Sequence, residues 1–329
     1  MKQLLQQLTQ IPGPSGYEHQ IRDAIRDLVA DFADEITTDA LGNLIVRKGA
    51  KGQGKRIMLA AHMDEIGVMV SHIDENGFAR FAPIGGVRPA YCLGGRVRFL
   101  NGRVGIINQE KTADPAKTPS LDQMFIDLGD TGHGIQVGDV AAFDRTFEDL
   151  GACVVSKALD DRVGVAVLIR TLQNLKSTPH EVYFVFSVQE EVGVRGATTA
   201  AFHIAPDVGI AVDVTGWGDT PKVPPMVDVK LGAGPAIKIR DGGMLADPRV
   251  VHWMIAAAEK AKIPYQREVL LSGSTDARAI QLSRAGVPAG TISIPCRYVH
   301  SPSEMIDVRD AENAAALLVA LLSEKEIAL

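Results

Sequence analysis

Cysteine is scarce in this chain: three in 329 residues, Cys92, Cys153 and Cys296, far apart and odd in number. No CxxC pair occurs, so no disulfide framework is encoded, and all three read as small buried hydrophobes in a reducing cytoplasm. Long apolar runs are missing too. Nothing approaches the roughly 18 apolar residues of a membrane span, and Met1-Lys2-Gln3-Leu4-Leu5-Gln6-Gln7-Leu8 is too polar for a secretory signal. The expected location is cytoplasmic. No Lys/Arg block stands out and the net charge is −6, which argues against nucleic acid or an anionic membrane as partner. There is no P-loop, and Gly232-Ala233-Gly234-Pro235 is a poor nucleotide loop. Ser272 and Ser301 lack a Gly-x-Ser-x-Gly elbow, and no HExxH pair is present.

What is there is a globular composition, 46% hydrophobic and 22% charged, in a length that allows one large domain or two ordinary ones. Residues 1–30 read as an amphipathic helix, a turn at Pro12-Gly13-Pro14-Ser15-Gly16 and a second helix from about Glu18 to Ala30. Strands follow near 43–46 and at Arg56–Ala61. From about Gly67 to Phe147 the texture changes to short alternating runs broken by glycines, which suggests a small β-barrel or sandwich. Helical spacing returns from Asp161 to Leu175. Strands are expected at 182–188, 208–213 and 290–294. Helices are expected near Ala197–Phe202, Pro248–Lys262, Ala277–Ala285 and Asp310–Glu324. The expectation is one α/β domain, residues 1–65 and 150–329, with a central mixed sheet flanked by helices. A small β domain, 66–149, interrupts it.

Chemistry-bearing residue types recur where elements of this α/β domain begin or end. The run Val182–Phe186 leads into Gln189-Glu190-Glu191-Val192-Gly193. Two adjacent carboxylates point in different directions, so one can hold a metal while the other moves a proton. His62-Met63-Asp64 follows the Arg56–Ala61 strand, and Asp64 can orient the His62 imidazole through its second nitrogen. Asp160-Asp161 opens a helix, where one of the pair can bridge two metals. Asp213 sits in an apolar strand, where a lone carboxylate is expensive unless paired or coordinating. His300 follows the apolar run ending at Pro295. Each signal alone has a bland reading as a solvated turn, an N-cap or a loop histidine. His19, His72, His133, His180, His203 and His252 read as structural or surface residues.

Together His62, Asp160, Glu191, Asp213 and His300 supply two imidazoles and three carboxylates, a set suited to Zn²⁺, Co²⁺ or Mn²⁺. Five ligands with one bridging carboxylate suit two ions, leaving Glu190 free as general base.

The stretches Ala61–Gly67, Lys157–Arg162, Gln189–Gly193, Val212–Thr215 and Tyr298–Pro302, in this order, resemble the TET-type dinuclear metalloaminopeptidases, a family that includes glutamyl aminopeptidase-like and deblocking enzymes. The resemblance runs essentially end to end. It implies Asp160 as the bridging ligand, His62 and Asp213 completing one metal site, and Glu191 and His300 the other. It implies Glu190 as general base, Asp64 as the carboxylate behind His62, and a cis Asp160–Asp161 peptide. It also implies that the inserted domain is PDZ-like and dimerising, that the assembly is a homo-dodecamer built from dimers, and that the substrates are short peptides with a free N-terminus. One departure is visible: Gly273-Ser274-Thr275-Asp276 stands where members commonly have Gly-Gly-Thr-Asp, which bears on pocket specificity. A metal amidohydrolase acting on N-acylated amino acids is the rival enzyme, with Arg240, Arg278 or Arg297 as a carboxylate anchor. A non-catalytic scaffold is the rival from another class.

Overall fold

The computed structural model describes residues 1–111, 117–129, 134–222 and 228–327. In chain order the strands are β1 (Glu35–Thr38), β2 (Leu44–Lys48), β3 (Arg56–His62), β4 (Gly67–Ile73), β5 (Phe78–Ile84), β6 (Arg96–Phe99), β7 (Val104–Gln109), β8 (Met124–Asp127), β9 (Val140–Phe143), β10 (Glu148–Leu150), β11 (Cys153–Ser156), β12 (Glu181–Ser187), β13 (Val208–Thr215), β14 (Ala236–Arg240), β15 (Gln266–Val269), β16 (Ala289–Arg297) and β17 (Glu304–Asp307). The helices are α1 (Lys2–Gln10), α2 (His19–Val29), α3 (Leu159–Asn174), α4 (Arg195–Ile204), α5 (Pro248–Ala261), α6 (Asp276–Gln281) and α7 (Val308–Ser323).

β12, β3, β13 and β16 run parallel at the middle of one large sheet. Antiparallel strands extend it on both sides, in the order β1-β2-β12-β3-β13-β16-β17-β11-β10, with β14 and β15 attached at β16. The alternation of side chains along a strand explains why this sheet needs helices on both faces. Ile57, Leu59 and Ala61 of β3 join Val182, Phe184 and Phe186 of β12 in one core cluster, beneath α3, α5 and α7. Met58, Ala60 and Val185 face the other way, into a cluster with Ala200 and Ile204 of α4 and Ala277 and Ile280 of α6. Strands buried on both faces read as continuous apolar runs, which is how β3, β12 and β13 look in the sequence.

β4 to β9 close into a barrel of six antiparallel strands, in the order β4-β5-β8-β7-β6-β9. Its own core includes Val68, Val70, Phe81, Val97, Phe99, Ile107, Ile126 and Phe143. Three features of the expected pattern differ. α6 ends at Gln281, not near Ala285, because Arg284 takes a left-handed conformation (φ 54°) and Ser283 N–H turns back to Ile280 O. Cys153 is half-buried, although Cys92 and Cys296 are buried, because β11 lies next to the sheet's outermost strand, β10. α3 is buried nearly all round, since it is wedged between the sheet, α1 and α7. His180 is buried, its ring between Lys55 N–H and Glu324 O, while His19, His72, His203 and His252 are exposed. His133 lies outside the described residues.

Candidate metal centre

The parallel strands end at one edge of the sheet, where an open α/β sheet forms its crevice. His62 is the last residue of β3, level with Ser187 at the end of β12. Glu190 and Glu191 follow on the turn after β12, Asp213 lies near the end of β13, and His300 on the loop between β16 and β17. Asp160 comes from the start of α3, where it departs from helical backbone angles. The Asp160–Asp161 peptide is cis.

Two groups of three donors form there: His62, Asp160 and Asp213, and Asp160, Glu191 and His300. Asp160 belongs to both, and its two oxygens divide between them. Oδ1 lies 3.1 Å from His62 Nε2, and Oδ2 lies 3.3 Å from His300 Nε2. His62 Nε2 is 3.9 Å from Asp213 Oδ1, and His300 Nε2 is 3.2 Å from Glu191 Oε2. A tetrahedral ion with bonds of about 2.0–2.2 Å sets neighbouring ligand atoms roughly 3.3–3.6 Å apart, close to the spacing found. Glu191 Oε1 is buried without a hydrogen-bond partner. The donor set thus fits a pair of divalent ions.

The electrostatics say the same. Burial drives the Glu190 and Asp213 carboxyls well above the ordinary carboxylate range, aided by neighbouring acids. Burial alone would lower His62, yet its hydrogen bonds to Asp160 and Asp64 outweigh that and raise it well above an ordinary histidine. Burial also opposes charge on His300, but Asp160 and Glu191 push it up to about 11. Crowded carboxylates demand positive charge in one place, which is what dications provide.

Asp64 is a hub. Its Oδ2 accepts from Ser15 Oγ at 2.6 Å and from Glu191 N–H at 3.2 Å, and its Oδ1 accepts from Glu190 N–H at 3.0 Å. His62 Nδ1 lies 3.5 Å from Asp64 Oδ1 but closer, 3.2 Å, to the Asp64 backbone carbonyl. Behind this layer Glu65 is held by Lys157 Nζ at 2.7 Å, and the fully buried Arg162 donates to Met63 O at 2.8 Å. Asp161 accepts the His62 N–H at 3.2 Å. Glu304 accepts the N–H groups of Asp160 and His300. Sequence reasoning missed Ser15, Glu65, Arg162 and Glu304. For Glu304 the one available signal was a carboxylate four residues after His300, at the start of a short strand.

A cleft of about 550 Å³ opens onto the cluster, lined among others by Gly86, Arg88, Trp217, Lys238, Leu270 and Arg278. The barrel contributes to it through the loop after β5, where a Cβ on Gly86 would lie 2.4 Å from His300 Nδ1. Of the three arginines considered as anchors, Arg297 is engaged bidentately by Asp219 and Arg240 is exposed at the end of β14, while Arg278 lines the cleft.

Fold and donor set define the class: an α/β protein with a cleft at the carboxyl ends of its parallel strands, lined by carboxylates and imidazoles that could hold metal ions. Comparison with known proteins narrows this. Residues 42–317 match the M42 glutamyl aminopeptidase model. A putative aminopeptidase of Acetivibrio thermocellus is 49% identical, over 97% of each chain. The aminopeptidase of the archaeon Desulfurococcus kamchatkensis superposes with a TM-score of 0.93 at 44% identity, covering 98% of this chain and 94% of that one. The Pyrococcus horikoshii TET1 peptidase, described as able to assemble into a tetrahedron or a large octahedral shell, gives 0.87 at 33% identity over 98% and 99%. The chain belongs to the M42 glutamyl aminopeptidase family.

Proposed function

We propose that this aminopeptidase works with two divalent ions and removes N-terminal residues from short peptides. The observation that carries the reading is the division of Asp160, one oxygen toward His62 at 3.1 Å and the other toward His300 at 3.3 Å. His62, Asp160 and Asp213 would hold one ion, and Asp160, Glu191 and His300 the other. When bound, the ions supply Lewis acidity, which polarises a carbonyl and eases the ionisation of water.

The rest falls to the chain's own groups. Glu190 takes a proton from the attacking water and delivers it to the leaving amine. Asp64 holds the Glu190 and Glu191 backbone in place and braces His62. Zn²⁺ or Co²⁺ suits this donor set, and Mn²⁺ is compatible with it. We take residues 66–149 as an inserted dimerisation domain of the catalytic domain formed by 1–65 and 150–329. By likeness to the Pyrococcus horikoshii relative, the protomers form a closed particle, a homo-dodecamer built from dimers, which admits only short or unfolded peptides. Free cysteines suit a cytoplasmic setting, and no helix among the described residues is long and apolar enough to cross a membrane.

The test is a panel of amino-acid p-nitroanilides and their N-acetylated forms, assayed metal-free and with Zn²⁺, Co²⁺ or Mn²⁺. Metal-dependent release from free-amine substrates alone supports the reading. No release from any free-amine substrate, together with release of acetate from N-acetyl amino acids that keep a free carboxylate, points to the amidohydrolase, with Arg278 as carboxylate anchor, and overturns it.

A further inference from the structure

We infer that Glu304 is a positioning residue that sets the distance between Asp160 and His300, and through it the geometry of the second ion site. The inference rests on the two-ion reading above.

The topology makes the case. β17 lies between β16 and β11 in the sheet. β16 leads into the loop that carries His300, and β11 leads through Lys157, Ala158 and Leu159 into Asp160. Glu304 opens the strand between them, paired with Ser156 of β11. Its side chain reaches both flanking segments. Oε2 accepts the Asp160 N–H at 2.9 Å, and Oε1 accepts the His300 N–H at 2.8 Å. One carboxylate therefore ties together the backbones of two residues that arrive from opposite sides of its strand.

Those two residues need holding. Asp160 leaves regular helical geometry, and His300 has a φ of 62°, a left-handed conformation that a non-glycine residue keeps only when its surroundings fix it. Their side chains meet at 3.3 Å, and each is a member of the group completed by Glu191. Glu304 is 2% exposed and close enough to Asp160 for their charges to repel. A carboxylate in that position is costly, and a neutral side chain would avoid the repulsion. What a carboxylate offers and an amide does not is two acceptor oxygens at once.

The experiment compares wild-type protein with Glu304→Gln and Glu304→Asp. Each is stripped of metal and titrated calorimetrically with Co²⁺, with circular dichroism to establish folding. Glutamine keeps one acceptor and turns an NH₂ toward the other N–H. The expected result is one ion bound as in wild type and one weakened about 10–100-fold, the range for loss of an outer-shell partner. Glu304→Asp keeps both acceptors with less reach and is expected to fall between, and it carries the test if the glutamine variant does not fold. At saturating Co²⁺ the glutamine variant should show a reduced kcat with little change in KM, since the cleft that binds the peptide is untouched. A folded Glu304→Gln protein that binds both ions as wild type does overturns the inference. If wild-type protein binds a single ion, the two-ion reading falls, and the positioning role is still decided by whether Glu304→Gln weakens that ion.

Discussion

Asp64→Asn is the substitution whose consequences can be worked furthest from the geometry. Ser15 Oγ and the N–H groups of Glu190 and Glu191 donate to this one carboxylate, at 2.6, 3.0 and 3.2 Å, and His62 Nδ1 lies 3.5 Å away. Asparagine keeps one acceptor oxygen, and its NH₂ must face donors on the other side. If the NH₂ takes the Oδ1 place, Glu190 N–H loses its acceptor and the ring of His62 meets a donor. If it takes the Oδ2 place, Glu191 N–H is left unsatisfied and Ser15 Oγ must turn from donating to accepting. Each such bond to a charged group is worth about 1.5–3 kcal/mol. Only part of that loss reaches the ions, because His62 Nδ1 retains the Asp64 carbonyl at 3.2 Å. The expected effect is a fall of about 10–100-fold in metal affinity, about 1.4–2.8 kcal/mol. The assay is equilibrium dialysis against Zn²⁺ or Co²⁺, followed by kcat and KM at fixed free metal. Excess metal should refill the site yet leave kcat below wild type, since the Glu190 turn is no longer held. Unchanged metal affinity together with unchanged kcat would refute the reasoning.

Gly86→Ala should displace the His300 ring, because the new Cβ would sit 2.4 Å from Nδ1 and 2.5 Å from Cε1. At limiting metal, the bound-ion count should fall from two toward one, with the His62 group retained. In the first turn of α7, burial pushes the Asp310 carboxyl from 3.8 up to about 6, with Asp307 adding to the rise and Arg309 and the Gly232 and Gly234 N–H groups opposing it. The folded protein then holds more protons than the unfolded chain between those values, so this group's contribution to stability falls as pH rises through the window. Denaturation midpoints measured across pH about 4 to about 6.5 should show that fall, flattened in Asp310→Asn. An equal slope in the variant would contradict it.

The parallel core of the fold was legible because its strands are apolar on both faces and end where the texture of the sequence breaks. The barrel was legible from its short, glycine-broken alternations. His62, Asp160, Glu191, Asp213 and His300 could be nominated because titratable side chains at the ends of apolar elements need a reason to be there. Ser15 could not: as part of Pro12-Gly13-Pro14-Ser15-Gly16 it reads as a turn, and only the folded chain lays that turn against Asp64. Glu304 and Arg162 escaped for a related reason. Both satisfy backbone groups of distant segments, and partnership with backbone leaves no residue type or spacing to recognise. Lys238, buried in the cleft wall, pairs instead with the side chains of Asp241 and Glu268. The end of α6 was misplaced because Arg284, not a glycine, takes the left-handed conformation there.

Glu190→Gln tests the central claim most directly. Glu190 is assigned to move a proton and not to hold an ion, so metal binding and catalysis should separate in this variant. The expected result is two ions per protomer with near wild-type affinity, and hydrolysis of the best free-amine p-nitroanilide reduced about 10²–10⁴-fold, the usual contribution of a general base. A variant that binds both ions and keeps wild-type turnover would contradict the account.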